Sequence, residues 1–209
     1  MNQKEVWENI AQPWKEFKIN PDAEVVDFLK DKKGKILDLG CGSGRNFVKL
    51  NTEYKVYGVD FSKEMLKYAK QFAKKKKTNI EIVNANVNCL PFDNNFFDSA
   101  IFIRALHCVD SKKEREKALR ELFRVMKPNA EALISVWDKN QERFKNSEKE
   151  KIISWSYKGK KNLRYYYLYE KKEFKELLKK IGFKVIKIHD RKNKEGLNSE
   201  KNIIVKVRK

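Results

Sequence analysis

The segment Ile36-Leu37-Asp38-Leu39-Gly40-Cys41-Gly42-Ser43-Gly44-Arg45-Asn46 constrains this chain more than any other, because it runs an apolar strand straight into a Gly-x-Gly-x-Gly turn. Glycine at 40, 42 and 44 removes the Cβ atoms that would hold a ligand off the backbone amides, and frees the chain for positive φ. A small molecule can therefore lie against the loop. The following strand, Tyr57-Gly58-Val59-Asp60, ends in a carboxylate sixteen residues after Gly44, where a parallel neighbour presents an acceptor to ribose hydroxyls. Ser62-Lys63-Glu64 follows and fits a helix N-cap, so helix-start chemistry is the alternative role for Asp60. A dinucleotide fingerprint needs glycine or alanine at its sixth position, and Arg45 stands there, which argues against a nicotinamide dehydrogenase. The loop suits a ligand with an amino-acid tail and one nucleoside.

Around this loop, short β-branched and aromatic runs alternate with amphipathic ones, the pattern of a parallel α/β sheet. Strands are expected at 35–39, 55–60, 80–84, 97–103 and 131–137, with helices near 44–51, 62–75 and 112–126. The last of these carries Ala118, Leu119, Leu122, Phe123 and Met126 at helical spacing and stops before Lys127-Pro128. A helix over 170–181 ends at Gly182, and strands 183–189 and 202–207 are expected to form an antiparallel hairpin closing the sheet. Ahead of the sheet lie helices at 7–17 and 21–31, the second with Ala23, Val26 and Leu29 as its stripe. Residues 139–165 are charged and without clear period, so they read as an irregular insertion, a binding loop or disorder, before the aromatic run Tyr165-Tyr166-Tyr167-Leu168-Tyr169.

With 209 residues the chain is long enough to bury a core without staples, and the reading is one domain: N-terminal helices over 1–34, a ligand-binding core over 35–137, and a basic part over 138–209 that completes the sheet and the substrate face. Cys41, Cys89 and Cys108 are widely spaced and, with only His107 and His189, form neither a zinc-ligand pattern nor an even disulfide framework. The expectation is a reduced, cytoplasmic protein with no resident metal, no membrane span and no signal peptide. The net charge of +19 is lopsided: residues 1–138 carry +5 and residues 139–209 carry +14. A focused positive field attracts polyanions such as nucleic acid.

The segment Leu37 to Gly44, the strand-end Asp60, Leu90-Pro91-Phe92 with Phe97-Asp98, and Leu119 to Lys127-Pro128 resemble the ordered motifs of class I S-adenosylmethionine-dependent methyltransferases over about residues 35–137. The resemblance implies a Rossmann-like seven-stranded α/β sheet with helices on both faces and an antiparallel last strand. It implies S-adenosyl-L-methionine as cofactor, held by Asp38, Gly40, Cys41, Gly42, Gly44, Asp60, Phe61, Asn86, Val87 and Arg104, with the methionine end on the glycine loop and ribose on Asp60. Many members place an acidic residue on the adenine amino group before Leu-Pro-Phe. Asn86-Val87 stands here instead, and an asparagine oxygen can accept the same hydrogen bond.

Val6-Trp7-Glu8-Asn9-Ile10-Ala11, Ala105-Leu106-His107-Cys108, Ser135-Val136-Trp137, Leu168-Tyr169-Glu170 and Gly182-Phe183 are similar to the tRNA wobble-uridine carboxymethyl methyltransferases. That narrower resemblance implies esterification of a carboxymethyl group in the tRNA anticodon loop and a small zinc-binding activator protein as partner. Where the family commonly carries an arginine after the first helix, this chain reads Glu16-Phe17-Lys18-Ile19, and lysine does not reproduce bidentate carboxylate binding. A carboxylate acceptor is already ionised at neutral pH, so no strong base is required. Arg104 and His107, which follow the fourth strand, are the candidate catalytic residues, as a carboxylate or phosphate partner and a hydrogen-bond donor, since strand C-termini face the crevice. Exposed charge for Arg104 and a core or cap role for His107 are the structural alternatives. Lys158, Lys160, Lys161 and Arg164 beside Tyr165–Tyr167 combine phosphate-seeking cations with stacking rings, unless those tyrosines simply alternate between core and surface. The same residues are compatible with two alternatives: a methyltransferase of the same fold acting on a small quinone-like precursor, or a non-catalytic RNA-binding module.

Overall fold

Alternating burial along each strand builds the molecule. In β1 (Gly34–Leu39), Leu37 and Leu39 enter a cluster on one sheet face, and Ile36 enters a second cluster on the other. β4 (Phe97–Ile103) divides the same way, Ala100 and Phe102 against Ile101 and Ile103. Both faces are thus covered, as a mostly parallel sheet requires. Each fully buried aliphatic side chain contributes on the order of 1.5–3 kcal/mol. The computed structural model describes residues 2–17, 19–192 and 201–209, so Lys18 and residues 193–200 of the last connection lie outside the described residues.

The remaining strands are β2 (Tyr54–Asp60), β3 (Ile80–Asn84), β5 (Met126–Trp137), β6 (Glu150–Tyr157), β7 (Lys160–Tyr167), β8 (Lys184–Lys192) and β9 (Lys201–Arg208). The helices are α1 (Gln3–Phe17), α2 (Ala23–Leu29), α3 (Lys63–Lys76), α4 (Lys112–Val125) and α5 (Lys171–Ile181). Seven strands form one sheet in the order β3-β2-β1-β4-β5-β9-β8. β1 to β5 are parallel where they pair, and β9 is antiparallel to both β5 and β8, which is the expected reversed hairpin. The order reverses between β1 and β4, so the C-terminal ends of these strands flank a crevice. Among the described residues no helix is long and apolar enough to cross a membrane.

Three expectations are corrected. No helix forms over 44–51: one turn, closed by Phe47 N–H donating to Gly44 O, brings the Phe47 ring against Gly44 and Gly58. Asn46, Val48, Asn51 and Thr52 are weak helix formers, so burial of Phe47 decides the local conformation. In α2 the buried stripe is Val25 and Leu29, with Val26 42% exposed, because the helix starts at Ala23 and turns a different face inward. The segment 139–165 is largely ordered: β6 and β7 form an antiparallel hairpin whose turn, Lys158-Gly159, has positive φ at both residues. Such a turn matches strand twist and favours glycine, and β6 alternates exposed and half-buried residues along its whole length.

α1 lies across α3 and against the hairpin. The Gln3 side chain donates to Leu163 O at 3.3 Å and accepts from Tyr165 N–H at 3.0 Å, and the Trp14 and Trp155 rings meet edge to face at 5.8 Å. A helix and a hairpin outside the main sheet therefore wall the crevice.

Candidate active site

The crevice has a volume of about 1550 Å³ and is bounded by the glycine loop, the ends of β2 and β4, α1 and the hairpin. Gly40, Cys41, Gly42, Asp60, Phe61, Asn86, Val87, Arg104 and His107 all line it; Asp38 and Gly44 do not. The three loop glycines serve different ends. A Cβ on Gly40 would stand 2.4 Å from the Ala105 Cβ, and one on Gly44 would stand 2.5 Å from the Phe47 ring, so both are set by close packing within the chain. Gly42, at φ 54°, has no atom within 4 Å of a would-be Cβ, so it is the glycine with open space above its backbone.

Two buried carboxylates support the loop. Asp60 accepts from Gly42 N–H and from Ser62 N–H, each at 2.9 Å, and so ties β2 to the turn as well as to the start of α3. Burial pushes its carboxyl up to about 6, against the pull of those backbone donors. Ser62 caps α3, its hydroxyl accepting from Met65 N–H at 3.1 Å, so the N-cap belongs to Ser62 while Asp60 lines the crevice. Asp38 is 1% exposed beneath the loop, and neither of its carboxyl oxygens has a hydrogen-bond partner. Burial pushes it up to about 7, with the Arg45 charge opposing and the Asp60 charge adding. A buried carboxylate without a partner, under a loop whose central glycine is open, fits a ligand carrying positive charge.

Glu8, on α1, stands within the Val6–Ala11 resemblance, which gave it no role of its own. Its two oxygens accept from Lys63 N–H and Glu64 N–H at 2.8 Å and from the Ser62 hydroxyl at 3.0 Å, closing the N-terminus of α3 from another helix. Burial opposes ionisation of Glu8, but these donors hold its carboxyl below the usual range. Asp22, just ahead of α2, was missed as well: Arg104 binds both of its oxygens, and Arg45 donates to it at 3.1 Å. Arg104 holds a positive φ of 54°, and its N–H donates to Ser135 O and Oγ.

His107 is 1% exposed, in a 3₁₀ turn after β4, and stacks with Trp137 and Tyr166. Its Nδ1 accepts from Trp137 N–H at 3.2 Å, which leaves Nε2 as the protonated nitrogen of the neutral ring. Burial, with the Arg104 charge adding, pushes it down to about 3, so it remains a neutral donor and does not act as a base near pH 7. Asn86 lines the crevice, with Oδ1 facing Asn88 N–H at 3.4 Å. The Leu90-Pro91-Phe92 motif is structural: Arg124 on α4 donates to Leu90 O and Phe92 O, and Glu121 accepts from Leu90 N–H. Asp98 is structural too, accepting from Lys35 N–H and Lys127 Nζ.

Of the three consecutive tyrosines, only Tyr166 lines the crevice; Tyr165 bonds to Arg115 and Tyr167 to Glu173 on the other face. Strand alternation thus separates them, and Trp155 and Arg164 join Tyr166 at the crevice wall. Lys158, Lys160 and Lys161 stand exposed at the hairpin tip.

The comparisons with known proteins agree with this geometry. A methyltransferase-domain family model matches residues 36–129. An uncharacterized protein of Methanocaldococcus jannaschii is 33% identical over 208 residues, covering 89% of this chain and 78% of that protein. A tRNA (carboxymethyluridine(34)-5-O)-methyltransferase of Arabidopsis thaliana is 36% identical over 107 residues, covering 51% of this chain and 25% of that protein. A 2-phytyl-1,4-naphtoquinone methyltransferase of Trichormus variabilis is 43% identical over 104 residues, covering 47% and 44%. The chain spans about a third or less of the length of the tRNA methyltransferases it matches. A SAM-dependent methyltransferase structure from Methanosarcina mazei superposes with a TM-score of 0.76 at 21% identity, over 90% of this chain and 98% of that one. Sheet order, glycine loop and matched residues lead to one conclusion: the chain belongs to the class I S-adenosylmethionine-dependent methyltransferases.

Proposed function

We propose that this methyltransferase acts on tRNA in the cytoplasm and esterifies a carboxymethyl group on the wobble uridine. The observation that carries the reading is the wall opposite the glycine loop, where aromatic rings from α1, β5 and the hairpin, with Arg143 and Arg164, line one crevice. Unpaired bases stack on such rings, and an anticodon base enters a pocket at lower cost than a base in a duplex. The exposed lysines of the hairpin tip continue the wall toward phosphates.

S-adenosylmethionine, when bound, would supply an electrophilic methyl on a positively charged sulfur; a carboxylate oxygen would take it as the sulfur–methyl bond breaks, leaving a neutral thioether and releasing no proton. Gly40, Cys41 and Gly42 would receive its amino-acid end, with the Asp38 carboxyl below and Gly44 fixing the turn. Asp60 and Phe61 would hold the ribose side and Asn86 and Val87 the adenine side. Rate then comes from alignment and from exclusion of water. His107 supplies a fixed neutral N–H donor, and Arg104, tied to Asp22, sets the edge of the acceptor space. The three free cysteines suit a reducing cytoplasm. A small zinc-binding activator would pair along β3, whose outer edge has no strand beside it among the described residues.

Methylation of a flat quinone precursor is the second reading, favoured by the placement of all four tryptophans, Trp7, Trp14, Trp137 and Trp155, on the crevice. The two are separated by offering labelled cofactor with bulk tRNA or with a demethylated naphthoquinone. We expect label in tRNA and none in the quinone; label in the quinone alone would replace this proposal by the second reading.

A further inference from the structure

Four arginines line the crevice, and their surroundings differ. Arg45 and Arg104 converge on Asp22, and Arg143 lies over the Trp137 and Phe144 rings at 4.7 and 4.4 Å. Arg164 is framed by three rings, with its guanidinium carbon 5.7 Å from the Trp14 centroid, 5.4 Å from Trp155 and 5.3 Å from Tyr166. Its Nε is buried without a hydrogen-bond partner, and no carboxylate among the described residues pairs with it. A buried N–H donor with nothing to donate to is costly to leave that way. Rings beside a guanidinium restrict its orientation while leaving its N–H groups for a planar acceptor.

Position adds to chemistry. β7 presents Arg164 and Tyr166 on the same face, opposite Ile153 and Lys151 of β6, and Tyr166 stacks on Trp137 with centroids 4.3 Å apart. Tyr166 also stacks on His107, with centroids 5.5 Å apart, so β7 brings Arg164 to the part of the crevice lined by the residues after β4. The exposed lysines that suit phosphates are at the far tip of the hairpin, six to three residues away along the strand and turn.

We propose that Arg164 is the specificity-determining residue for the acceptor, binding the carboxylate of the carboxymethyl group through its guanidinium edge while Trp155, Trp14 and Tyr166 hold the arginine and the base. This rests on the wobble-uridine reading above and assigns to the hairpin the recognition that an arginine after α1 was expected to supply. A planar carboxylate meets a planar guanidinium in two parallel hydrogen bonds.

The test uses the whole protein and two anticodon stem-loop RNAs that differ only in a 5-carboxymethyl group at the wobble uridine. Binding is followed by fluorescence anisotropy, and cofactor binding by calorimetry reports the integrity of the fold. Wild-type protein should prefer the carboxymethyl RNA by roughly 10- to 100-fold, the scale of one charge-assisted contact. Arg164→Gln should abolish that preference, weakening the carboxymethyl RNA at least tenfold more than the unmodified RNA while cofactor affinity stays unchanged, and Arg164→Lys should restore only part of it. A preference that survives in Arg164→Gln overturns the role of Arg164 and leaves the wobble-uridine reading standing. Equal weakening toward both RNAs identifies a phosphate contact and also overturns it. A wild-type protein without preference sinks this role and the wobble-uridine reading together.

Discussion

At the scale of single residues, the account turns on carboxylates that the fold buries. Asp38 was legible in the sequence as the acid before the glycine loop, but its isolation was not, since nothing in local pattern says that both oxygens lack donors. The roles of Glu8 and Asp22 were not legible for a related reason: their partners lie 54 to 56 and 23 to 82 residues away, beyond any local motif. The raised carboxyl of Asp38 has a measurable consequence. Because the folded value of about 7 lies above the unfolded value near 3.8, the native state keeps a proton that the unfolded chain has released between those limits. Asp38 therefore lowers stability progressively as pH rises through that window. Asp38→Asn should be nearly neutral below pH 4 and more stable than wild type above pH 7, by on the order of a few kcal/mol, in denaturant titrations of the cofactor-free protein. A difference between the two proteins that does not vary with pH would contradict the burial of an ionisable, unpartnered Asp38.

At the scale of elements, the sheet strands were readable because their apolar alternation and spacing leave few other arrangements, and Gly182 marked the end of α5 as expected, with φ at 118°. The hairpin β6–β7 carried a signal that charge obscured: Lys151-Ile152-Ile153-Ser154-Trp155-Ser156-Tyr157 alternates, and Lys158-Gly159 is a turn dipeptide. The absent helix after Gly44 is the opposite case, where one ring finding its slot beside Gly44 and Gly58 outweighed a weak local preference. If the hairpin tip contacts phosphates, replacing Lys158, Lys160 and Lys161 together by alanine should weaken binding to any anticodon stem-loop. It should also reduce the magnitude of the salt slope, log Kd against log salt, by roughly 2, counting about 0.7 per lost single-strand contact. An unchanged slope would remove the tip from the RNA path. These exposed residues lie outside the crevice, so cofactor binding should not move.

At the scale of the whole molecule, the division of charge follows the division of labour in part, since α1 and β5 of the acceptor wall belong to the nearly balanced region and the hairpin to the basic one. The nearly balanced first two thirds supply the glycine loop, Asp60 and the residues after β4, and the +14 of residues 139–209 includes the hairpin that forms the opposite wall. Family and cofactor were legible because one short loop and its acidic partner carry them. The acceptor wall was not, because it is assembled from α1, β5 and β7, whose crevice residues run from Gln3 to Tyr166 and share no spacing. The claim that unites both walls is that a methyl group crosses this crevice to a wobble-uridine carboxylate. Mass spectrometry of nucleosides digested from tRNA, after incubation with the protein and isotopically labelled S-adenosylmethionine, tests it most directly. The account predicts labelled methyl on the ester of 5-carboxymethyluridine; label on any other nucleoside, or carboxymethyluridine left unlabelled in a preparation that binds the cofactor, would contradict it.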